Sequence, residues 1–457
     1  MPVTLWSHQR SFADWLSRRQ YGYGAHEMGC GKTGSTYAAL RDKRLILVCC
    51  PIAVGPAWAK QGGLFDPSRK VVVVVSGSSA ARAKKIREAV ESGDRVAIII
   101  NYDAVWRSEV AKTILATEWD AIVLDEAHRI KSPSSKVSKW IAKLAASKPS
   151  AKRVCLSGTP TPQNPLDWWS QFRFLNPEIL GGSHTAFRSR IANIHPRFPG
   201  WVTGFKPEAL HALKERIDEH IHRVTSEEVL SLPDAIHETI DVEISGTTRE
   251  FYDRLETEMI AFVGPDADAV TAANRMVVVG RLQASTSGFT RIDGDDEFTL
   301  IDGVPAKVER LRDWLADFPA REPLVVFVRY IKDVDHVKQL AVDSGRTVSE
   351  LSGRRKELES WQAGETDVIV VQQQAGGCGV DLTRACYCVY YSLSHSLGDF
   401  EQSLARLRRP GQSKCCRYYH LVAKDTVDET IYRALRDKKD VVESVLARLT
   451  KRTEDLK

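Results

Sequence analysis

Long apolar segments are missing from this 457-residue sequence, in which no aliphatic run exceeds five residues, as in 71–75. A membrane-spanning helix needs roughly 20 consecutive apolar residues, which sets aside a membrane-embedded class. The first residues also lack a basic segment followed by an apolar stretch, so we expect no secretory signal. Both absences favour a cytoplasmic protein.

Cysteine spacing of the zinc-binding kind is missing too. The nine cysteines include no C-x-x-C pair, and their closest groupings are Cys49-Cys50, Cys386-x-Cys388 and Cys415-Cys416. None of these has the ligand spacing of a structural zinc site. We expect reduced, buried thiols and no structural zinc.

A large excess of one charge is absent, since the net charge is only +5, but the charges are unevenly distributed. Residues 1–165 contain 25 Lys and Arg and 13 Asp and Glu, a net charge of +12, whereas the remainder carries −7. A cationic first third is expected of a lobe that faces nucleic acid. A solvated, lysine-rich surface would give the same numbers.

The sequence does contain short aliphatic runs separated by helix-compatible stretches. Their uninterrupted hydrophobicity indicates strands covered on both faces, hence a parallel α/β sheet. The predicted strands of the first set are 45–48, 71–75, 96–100, 121–124 and 154–156, with helices over 80–91 and 134–146. A second set at 324–328, 368–371 and 388–391 predicts a second α/β lobe.

The section between these sets, from about 166 to 283, has a mostly helical pattern. It includes predicted helices over 207–222 and 249–262. Leu232-Pro233 interrupts the pattern and predicts the junction between the lobes, because the residue before a proline disfavours a helix.

The segment from His26 to Thr33, H-E-M-G-C-G-K-T, has the composition of a phosphate-binding loop. Glycines 29 and 31 permit a tight turn whose N–H groups can cradle phosphates at the start of a helix. Lys32 would reach the β- and γ-phosphates, and the Thr33 hydroxyl would bind magnesium. His26 replaces the usual first glycine, so a chance G-x-G-K-T loop stays an alternative.

A second segment, Asp120 to His128, reads D-A-I-V-L-D-E-A-H. Its buried strand ends in two carboxylates, which places them at the carboxyl edge of the sheet, where α/β proteins bind ligands. One carboxylate is needed to hold magnesium and a neighbour to orient and deprotonate the attacking water, and because adjacent residues at a strand end diverge, Asp125 and Glu126 can take these different roles. Solvated acids that merely cap a strand are the alternative.

A third segment contains Arg406 and Arg409, three residues apart, so that a helix would place them on one face. Two guanidinium groups directed at a γ-phosphate would neutralise charge in the transition state. A surface basic patch or a contact with DNA phosphates would need the same residues.

Five ordered segments together resemble superfamily 2 helicases and, within them, the Swi/Snf family of DNA-dependent ATPases. They are E-M-G-C-G-K-T at 27–33, D-E-A-H-R-I-K at 125–131, L-S-G-T-P-T-P-Q-N at 156–164, A-G-G-C-G-V-D-L at 375–382 and Q-x-x-x-R-x-x-R-x-G-Q at 402–412. The third has one residue inserted before its asparagine. Weaker matches are 5–9, Pro51 with Trp58, 101–102, Arg223 and 426–436.

The resemblance implies two tandem RecA-like parallel-sheet lobes with helical insertions. Lobe 1 would span 1–232 with an insertion from about 166, and lobe 2 would span 233–457 with an insertion extending to about 300. The resemblance also implies roles for further residues: nucleotide contacts at Gln9, Gly29, Cys30, Gly31, Lys32, Thr33, Gly379 and Asp381; coupling at Ser157, Gly158, Thr159 and Gln402; DNA contacts at Pro51, Trp58, Tyr102, Arg129, Lys131, Gly376 and Gly377.

The function expected from this resemblance is a motor that hydrolyses ATP with Mg²⁺ and translocates on double-stranded DNA. A strand-separating or fork-remodelling helicase acting on forked or branched DNA is the alternative, and a non-catalytic DNA-binding scaffold is a more distant one. The chain ends soon after the last motif, which favours a compact bacterial or bacteriophage protein. We expect a monomer associated with the nucleoid in the cytoplasm of a bacterial or phage-infected cell.

Overall fold

A computed structural model describes residues 4–158, 164–196, 202–263, 272–291, 298–301, 303–376 and 380–455. The chain divides into two compact units, unit 1 (Met1–Ser231) and unit 2 (Leu232–Lys457). Within the described ranges no helix combines the length and the apolarity that crossing a membrane requires. The fold is α/β, with one parallel sheet at the centre of each unit.

Seven described strands of unit 1 form a wholly parallel sheet in the order β3-β4-β2-β5-β6-β1-β9. Every residue of β2 and β4 is buried, which is the environment predicted from their uninterrupted aliphatic sequences. A separate antiparallel pair, β7 and β8, lies outside this sheet. The strand bounds are β1 Tyr21–His26, β2 Leu45–Cys50, β3 Lys70–Val74, β4 Val96–Asn101, β5 Ala121–Asp125, β6 Lys152–Ser157, β7 Ala192–Ile194, β8 Val202–Phe205 and β9 Ile221–Val224.

Helices connect these strands, and three of them begin with a serine cap, which is Ser78, Ser135 or Ser183. Ser78 accepts a hydrogen bond from the N–H of Ala81, and Ser135 accepts one from the N–H of Ser138, so each satisfies a donor that the first helical turn leaves free. The helices are α1 Ser7–Ser17, α2 Lys32–Ala39, α3 Gly55–Phe65, α4 Ser79–Glu91, α5 Tyr102–Val105, α6 Ser108–Ala116, α7 Lys136–Ser147, α8 Asp167–Leu175, α9 Pro177–Leu180, α10 His184–Ile191, α11 Pro207–Asp218 and α12 Ser226–Val229, with 3-10 turns at Ile52–Val54 and Ala127–Ile130.

Two features of unit 1 differ from the sequence prediction. The helix predicted over 207–222 ends at Asp218, and the chain then forms the edge strand β9. Strand β1, which leads into the glycine loop, was not predicted because it contains Gly22 and Gly24. A Cβ atom at Gly24 would lie 2.7 Å from the ring of Phe12, so glycine is needed there for α1 to pack closely on the strand.

Unit 2 contains six described strands in the order β10-β17-β16-β13-β15-β14, again all parallel. Its core surrounds β13 and β15, whose aliphatic residues are buried. A short antiparallel pair, β11 and β12, lies apart from the main sheet. The strands are β10 Ala235–Val242, β11 Phe289–Arg291, β12 Phe298–Leu300, β13 Leu324–Val328, β14 Val348–Leu351, β15 Val368–Gln372, β16 Tyr387–Tyr390 and β17 Cys416–Ala423.

A buried ion pair joins three helices of unit 2. Lys307 Nζ lies 2.6 Å from Asp428 Oδ2, and the two side chains are 1% and 3% exposed. Thr286, the last residue of its helix, donates its hydroxyl to the same carboxylate. The helices of unit 2 are α13 Gly246–Val263, α14 Ala272–Thr286, α15 Ala306–Asp317, α16 Ile331–Asp343, α17 Leu358–Gln362, α18 Gln373–Gly376, α19 Leu397–Leu404, α20 Val427–Arg436 and α21 Val441–Asp455.

Candidate active site

The glycine loop lies between β1 and α2, at the carboxyl edge of the unit 1 sheet. Gly29 and Gly31 have φ values of 83° and 77°, in the left-handed region that favours glycine. A Cβ atom at Gly31 would lie 2.0 Å from Gln9 Nε2, so glycine also allows the loop to approach this side chain. The loop therefore has the conformation of a phosphate cradle at a helix N-terminus.

Lys32 and Thr33 begin α2 and are both half-buried. The Lys32 ammonium donates to the carbonyl oxygens of His26, at 2.7 Å, and Glu27, at 3.3 Å. These bonds fold the lysine back over its own loop, where its charge is next to the phosphate cradle. The roles predicted for these residues, phosphate binding by Lys32 and magnesium binding by Thr33, remain predictions.

Gln9 lies in α1 and is 7% exposed. Its Oε1 accepts a hydrogen bond of 3.0 Å from the backbone N–H of Trp6, which fixes the carboxamide against the glycine loop. His8 bonds the carbonyl oxygen of the buried Cys30 through its Nε2, at 3.0 Å. The N-terminal segment and the glycine loop thus form one packed surface.

The glycine loop is also tied to the last segment of unit 1. The Glu27 carboxylate accepts hydrogen bonds from the backbone N–H of Ser226, at 2.9 Å, and from its hydroxyl, at 2.6 Å. His26 and His222 bond each other through their rings at 3.0 Å. Sequence reasoning missed both links, because contacts almost 200 residues apart leave no local pattern.

Asp125 and Glu126 stand at the end of β5 and are 5% and 7% exposed. Asp125 completes the strand, whereas Glu126 leaves it with φ 54° and ψ 54°, so the two side chains take different directions. A non-glycine residue in this left-handed conformation is uncommon and often marks a functional site. Divergence of the pair was predicted from its position at the strand end.

The electrostatics of the two carboxyl groups also differ. Burial and the neighbouring charge of Glu126 raise the pKa of Asp125 above its ordinary value. Burial alone would raise the pKa of Glu126 as well, but hydrogen bonding and charge from His128, together with Lys32, lower it. Glu126 is therefore held ionised, as a group that accepts a proton from water must be.

Residues from three adjacent strand ends meet at this edge. Gly158 follows β6, between the ends of β1 and β5, and a Cβ atom there would lie 3.1 Å from Met28 and 3.7 Å from Glu126 Oε1. Ser157, the last residue of β6, is 1% exposed. Thr159, the remaining coupling residue predicted here, lies outside the described residues.

Trp58 and Tyr102, both predicted to contact DNA, point into the core of unit 1. Trp58 is 1% exposed and donates its indole N–H to Asp125 Oδ2 at 2.7 Å. Tyr102 is 6% exposed and donates its hydroxyl to the backbone carbonyl of Asp125 at 2.8 Å. Burial leaves neither side chain accessible to a DNA phosphate, and both converge on the candidate metal ligand.

The other DNA contacts predicted in unit 1 are accessible. Pro51 is half-buried and precedes the exposed Ile52, and Arg129 and Lys131 are exposed. Lys131 Nζ lies 3.9 Å from Asp167, a weak surface contact that a phosphate could replace. These residues stay predictions for DNA binding.

In unit 2, Arg406 and Arg409 are not on a helix, in contrast to the sequence prediction. Helix α19 ends at Leu404, and both arginines occupy the turn that follows. Arg406 is buried and Arg409 half-buried. Burial opposes the lowering of the pKa of Asp381, which comes first from the hydrogen bonds of Thr383 and then from the charges of Arg409 and Arg406. The turn brings all three predicted residues together.

The remaining unit 2 predictions are only partly described. Gln402 is buried on α19, and Gly376 is the last residue of α18. Gly377 and Gly379 lie outside the described residues.

Oxygen donors at the unit 1 edge fit Mg²⁺ by their chemistry. The Asp125 carboxylate and the Thr33 hydroxyl are hard oxygen ligands of the kind that this ion accepts alongside water and phosphate oxygens. The charge of Lys32 lowers the pKa of both Asp125 and Glu126. The edge thus combines a phosphate cradle, a cation, a metal ligand and an ionised carboxylate.

Two protein-family models match this chain. The model of the SNF2-related domain matches residues 8–287, and that of the helicase conserved C-terminal domain matches residues 306–411. The first match covers the phosphate loop and the Asp125–Glu126 pair, and the second ends just beyond Arg409.

Individual proteins are also similar to this chain. An uncharacterized ATP-dependent helicase of Mycoplasma genitalium is 26% identical over 97% of this chain and 42% of its own length. Protein p41 of Acyrthosiphon pisum secondary endosymbiont phage 1 is 27% identical over 93% of this chain and 94% of its own. The Hef helicase domain of Pyrococcus furiosus shares the fold, with 15% identity, a TM-score of 0.53, and coverage of 94% and 97% of the two chains. The chain spans about half the length, or less, of several curated relatives that it matches.

Proposed function

Because the chain belongs to the SNF2-related family of helicase-like ATPases, we propose that it hydrolyses ATP with Mg²⁺ and translocates on double-stranded DNA. One observation carries this proposal. The glycine loop with Lys32 follows β1 and the buried Asp125–Glu126 pair ends β5, two strands of one parallel sheet that only β6 separates, and a Cβ atom at Gly158 after β6 would lie 3.1 Å from Met28 of the loop and 3.7 Å from Glu126 Oε1. Nucleotide hydrolysis needs this combination at a single edge.

Each of the predicted site residues of unit 1 would have its own role in ATP hydrolysis. Loop N–H groups and Lys32 bind the phosphates, and Gln9 faces the base, where its carboxamide can both donate and accept. Thr33 and Asp125 would hold Mg²⁺, which when bound neutralises charge on the phosphates. Glu126 orients the attacking water and accepts its proton.

Unit 2 would supply Arg406 and Arg409 to the same reaction. A guanidinium group stabilises the charge that develops on the transferred phosphoryl group, and its planar donors match phosphate oxygens. We propose lobe boundaries at 1–232 and 233–457.

Duplex DNA is the proposed track because the first part of the chain is cationic and exposes Arg129 and Lys131. Contacts with phosphates carry no base information, so binding should be independent of sequence and should weaken steeply with salt. We propose a monomer that acts in the cytoplasm on the nucleoid or on phage DNA.

An ATPase titration with duplex, single-stranded, forked DNA and RNA tests the proposal. We expect duplex DNA to raise the rate most, and Lys32→Ala to abolish nucleotide binding and serve as the inactive control. Failure of every nucleic acid to raise hydrolysis would contradict the DNA-dependent motor.

Strand displacement separates translocation from unwinding. We expect the protein to displace a triplex-forming strand from a duplex without separating a forked duplex. Efficient fork separation without triplex displacement would instead support a strand-separating helicase.

A further inference from the structure

We propose that Trp58 is a positioning residue for the Asp125 carboxylate, and that its indole N–H fixes the orientation in which Asp125 meets Mg²⁺. This inference rests on the proposed ATPase function. The indole nitrogen lies 2.7 Å from Asp125 Oδ2, and the two residues are 1% and 5% exposed. The bond joins α3 to the end of β5 across 67 residues of sequence.

Both oxygens of the Asp125 carboxylate are held by a donor. Oδ1 accepts the backbone N–H of Glu126 at 3.0 Å, and Oδ2 accepts the indole N–H. Two donors on different oxygens fix the plane of the carboxylate, while each oxygen keeps a second lone pair for a ligand. Partners that orient a metal ligand in this way typically affect metal affinity by about 10- to 100-fold when they are removed.

The backbone of Asp125 is held as well. The hydroxyl of Tyr102 donates to its carbonyl oxygen at 2.8 Å from the start of α5. Trp58 and Tyr102 thus act on different atoms of one residue, the first on the carboxylate and the second on the main chain. Of these two side chains, Trp58 is the one that bonds a carboxylate oxygen and, together with the Glu126 N–H, fixes the orientation of the carboxylate.

A core-filling role for Trp58 is the main alternative. In that case the ring stabilises the core by packing. The N–H would bond Asp125 only because a buried indole donor without a partner costs free energy. Replacement by phenylalanine would then change stability but not the dependence of nucleotide binding on Mg²⁺. Contact of the indole with DNA is a poorer alternative, since the ring is buried.

Tyr37 provides a matched control. Its hydroxyl donates to the backbone carbonyl of Trp58 at 3.1 Å, and its ring lies 5.3 Å from the Trp58 ring. Tyr37→Phe therefore removes a buried hydrogen bond to the same residue, in the same core, without changing any donor to Asp125. A general disturbance of α3 should affect W58F and Y37F alike.

The experiment measures binding of a non-hydrolysable ATP analogue by calorimetry over a series of Mg²⁺ concentrations, using the full chain. For Trp58→Phe we expect the half-saturating Mg²⁺ concentration to rise about 10-fold or more, the usual effect of losing such a partner. Binding in EDTA should stay as in the wild type, because the phosphate loop is untouched. Tyr37→Phe should keep the wild-type Mg²⁺ dependence.

A W58F protein with unchanged or lower half-saturating Mg²⁺ would overturn the inference, as would an equal rise in W58F and Y37F. If circular dichroism shows W58F to be unfolded, 3-benzothienylalanine at position 58 keeps the fused ring without the N–H and is judged by the same outcomes. Absence of nucleotide binding by the wild type at every Mg²⁺ concentration would overturn the proposed function, and this inference with it. Normal wild-type binding with an unaffected W58F overturns this inference alone.

Discussion

Acid should destabilise unit 2 through one buried imidazole, that of His420 on β17. The side chain is fully buried, its Nε2 lies 3.2 Å from His237 Nδ1, and its ring stacks on Tyr390 with centroids 4.9 Å apart. Burial, with a smaller contribution from His237, lowers the pKa of His420 to about 3. The folded protein therefore holds this imidazole neutral at neutral and mildly acidic pH.

The sign of the effect follows from proton uptake. In the unfolded chain an imidazole has a pKa of about 6.5, so below that pH the unfolded state binds a proton that the folded state excludes. The stability associated with neutral His420 is complete above pH 6.5 and is lost as the pH falls towards 3. The slope is about 1.4 kcal/mol per pH unit, which amounts to about 2 kcal/mol at pH 5.

The assay compares wild type with His420→Asn, which cannot titrate, between pH 7.5 and 5. Urea unfolding followed by hydrogen exchange of peptides from β13 and β16 reports unit 2 separately from unit 1. The substitution lowers the free energy of unfolding by the same amount at every pH. The stability of the variant relative to wild type should nevertheless improve by about 2 kcal/mol on going to pH 5. Asp333, whose pKa burial raises to about 6, has the opposite pH dependence but is present in both proteins.

Parallel profiles for His420→Asn and wild type would refute the reasoning, because they would mean that the folded protein protonates His420 as readily as the unfolded chain does.

Three further predictions concern catalysis and the core of unit 2. Glu126→Gln should bind ATP and lose turnover in a coupled ATPase assay, and near wild-type hydrolysis would contradict its assignment as the base. Arg406→Ala or Arg409→Ala should each lower kcat by about 10³-fold with ATP binding retained, and rescue by lysine would argue against planar guanidinium contacts. Lys307→Met should cost about 3–5 kcal/mol in urea unfolding by leaving Asp428 buried and unpaired. Addition of Asp428→Asn should recover part of that loss, and strictly additive effects would show that the pair is not coupled.

The strands that the sequence predicted best are aliphatic and are covered on both faces of the sheet. The runs at 45–48 and 96–100 fall within β2 and β4, because only a sheet covered on both faces accommodates such sequences. Strand β1 could not be predicted in this way, since its glycines are explained by the approach of α1, which is a tertiary contact. The first two residues of β9, Ile221 and His222, were predicted as the end of a helix for a related reason: pairing with β1 decides their conformation.

The candidate site, too, was predictable where it depends on local sequence and not where it depends on tertiary contacts. The glycines and the G-K-T pattern predicted the loop around Lys32, and the end of the predicted strand at 121–124 placed the carboxylates at 125 and 126 at the edge of the sheet. It could not show that Trp58 and Tyr102 point inwards, since burial of an aromatic side chain depends on which elements pack around it. The helix predicted for the arginines was wrong because three-residue spacing also occurs in the turn after α19.

The inward direction of Trp58 gives two different environments to residues six positions apart, one in the 3-10 turn before α3 and one in α3 itself. Ile52, in the 3-10 turn after Pro51, is 55% exposed, where a DNA backbone can reach it, whereas Trp58 is buried against Asp125. Since the 3-10 turn runs directly into α3, a shift of the exposed segment on binding DNA would move the indole that orients the carboxylate. The proposed stimulation of hydrolysis by DNA would then act through the position of Asp125. In this arrangement W58F should lose more of the DNA-stimulated rate than of the basal rate at saturating Mg²⁺, and equal losses of the two rates would separate the orientation of Asp125 from the response to DNA.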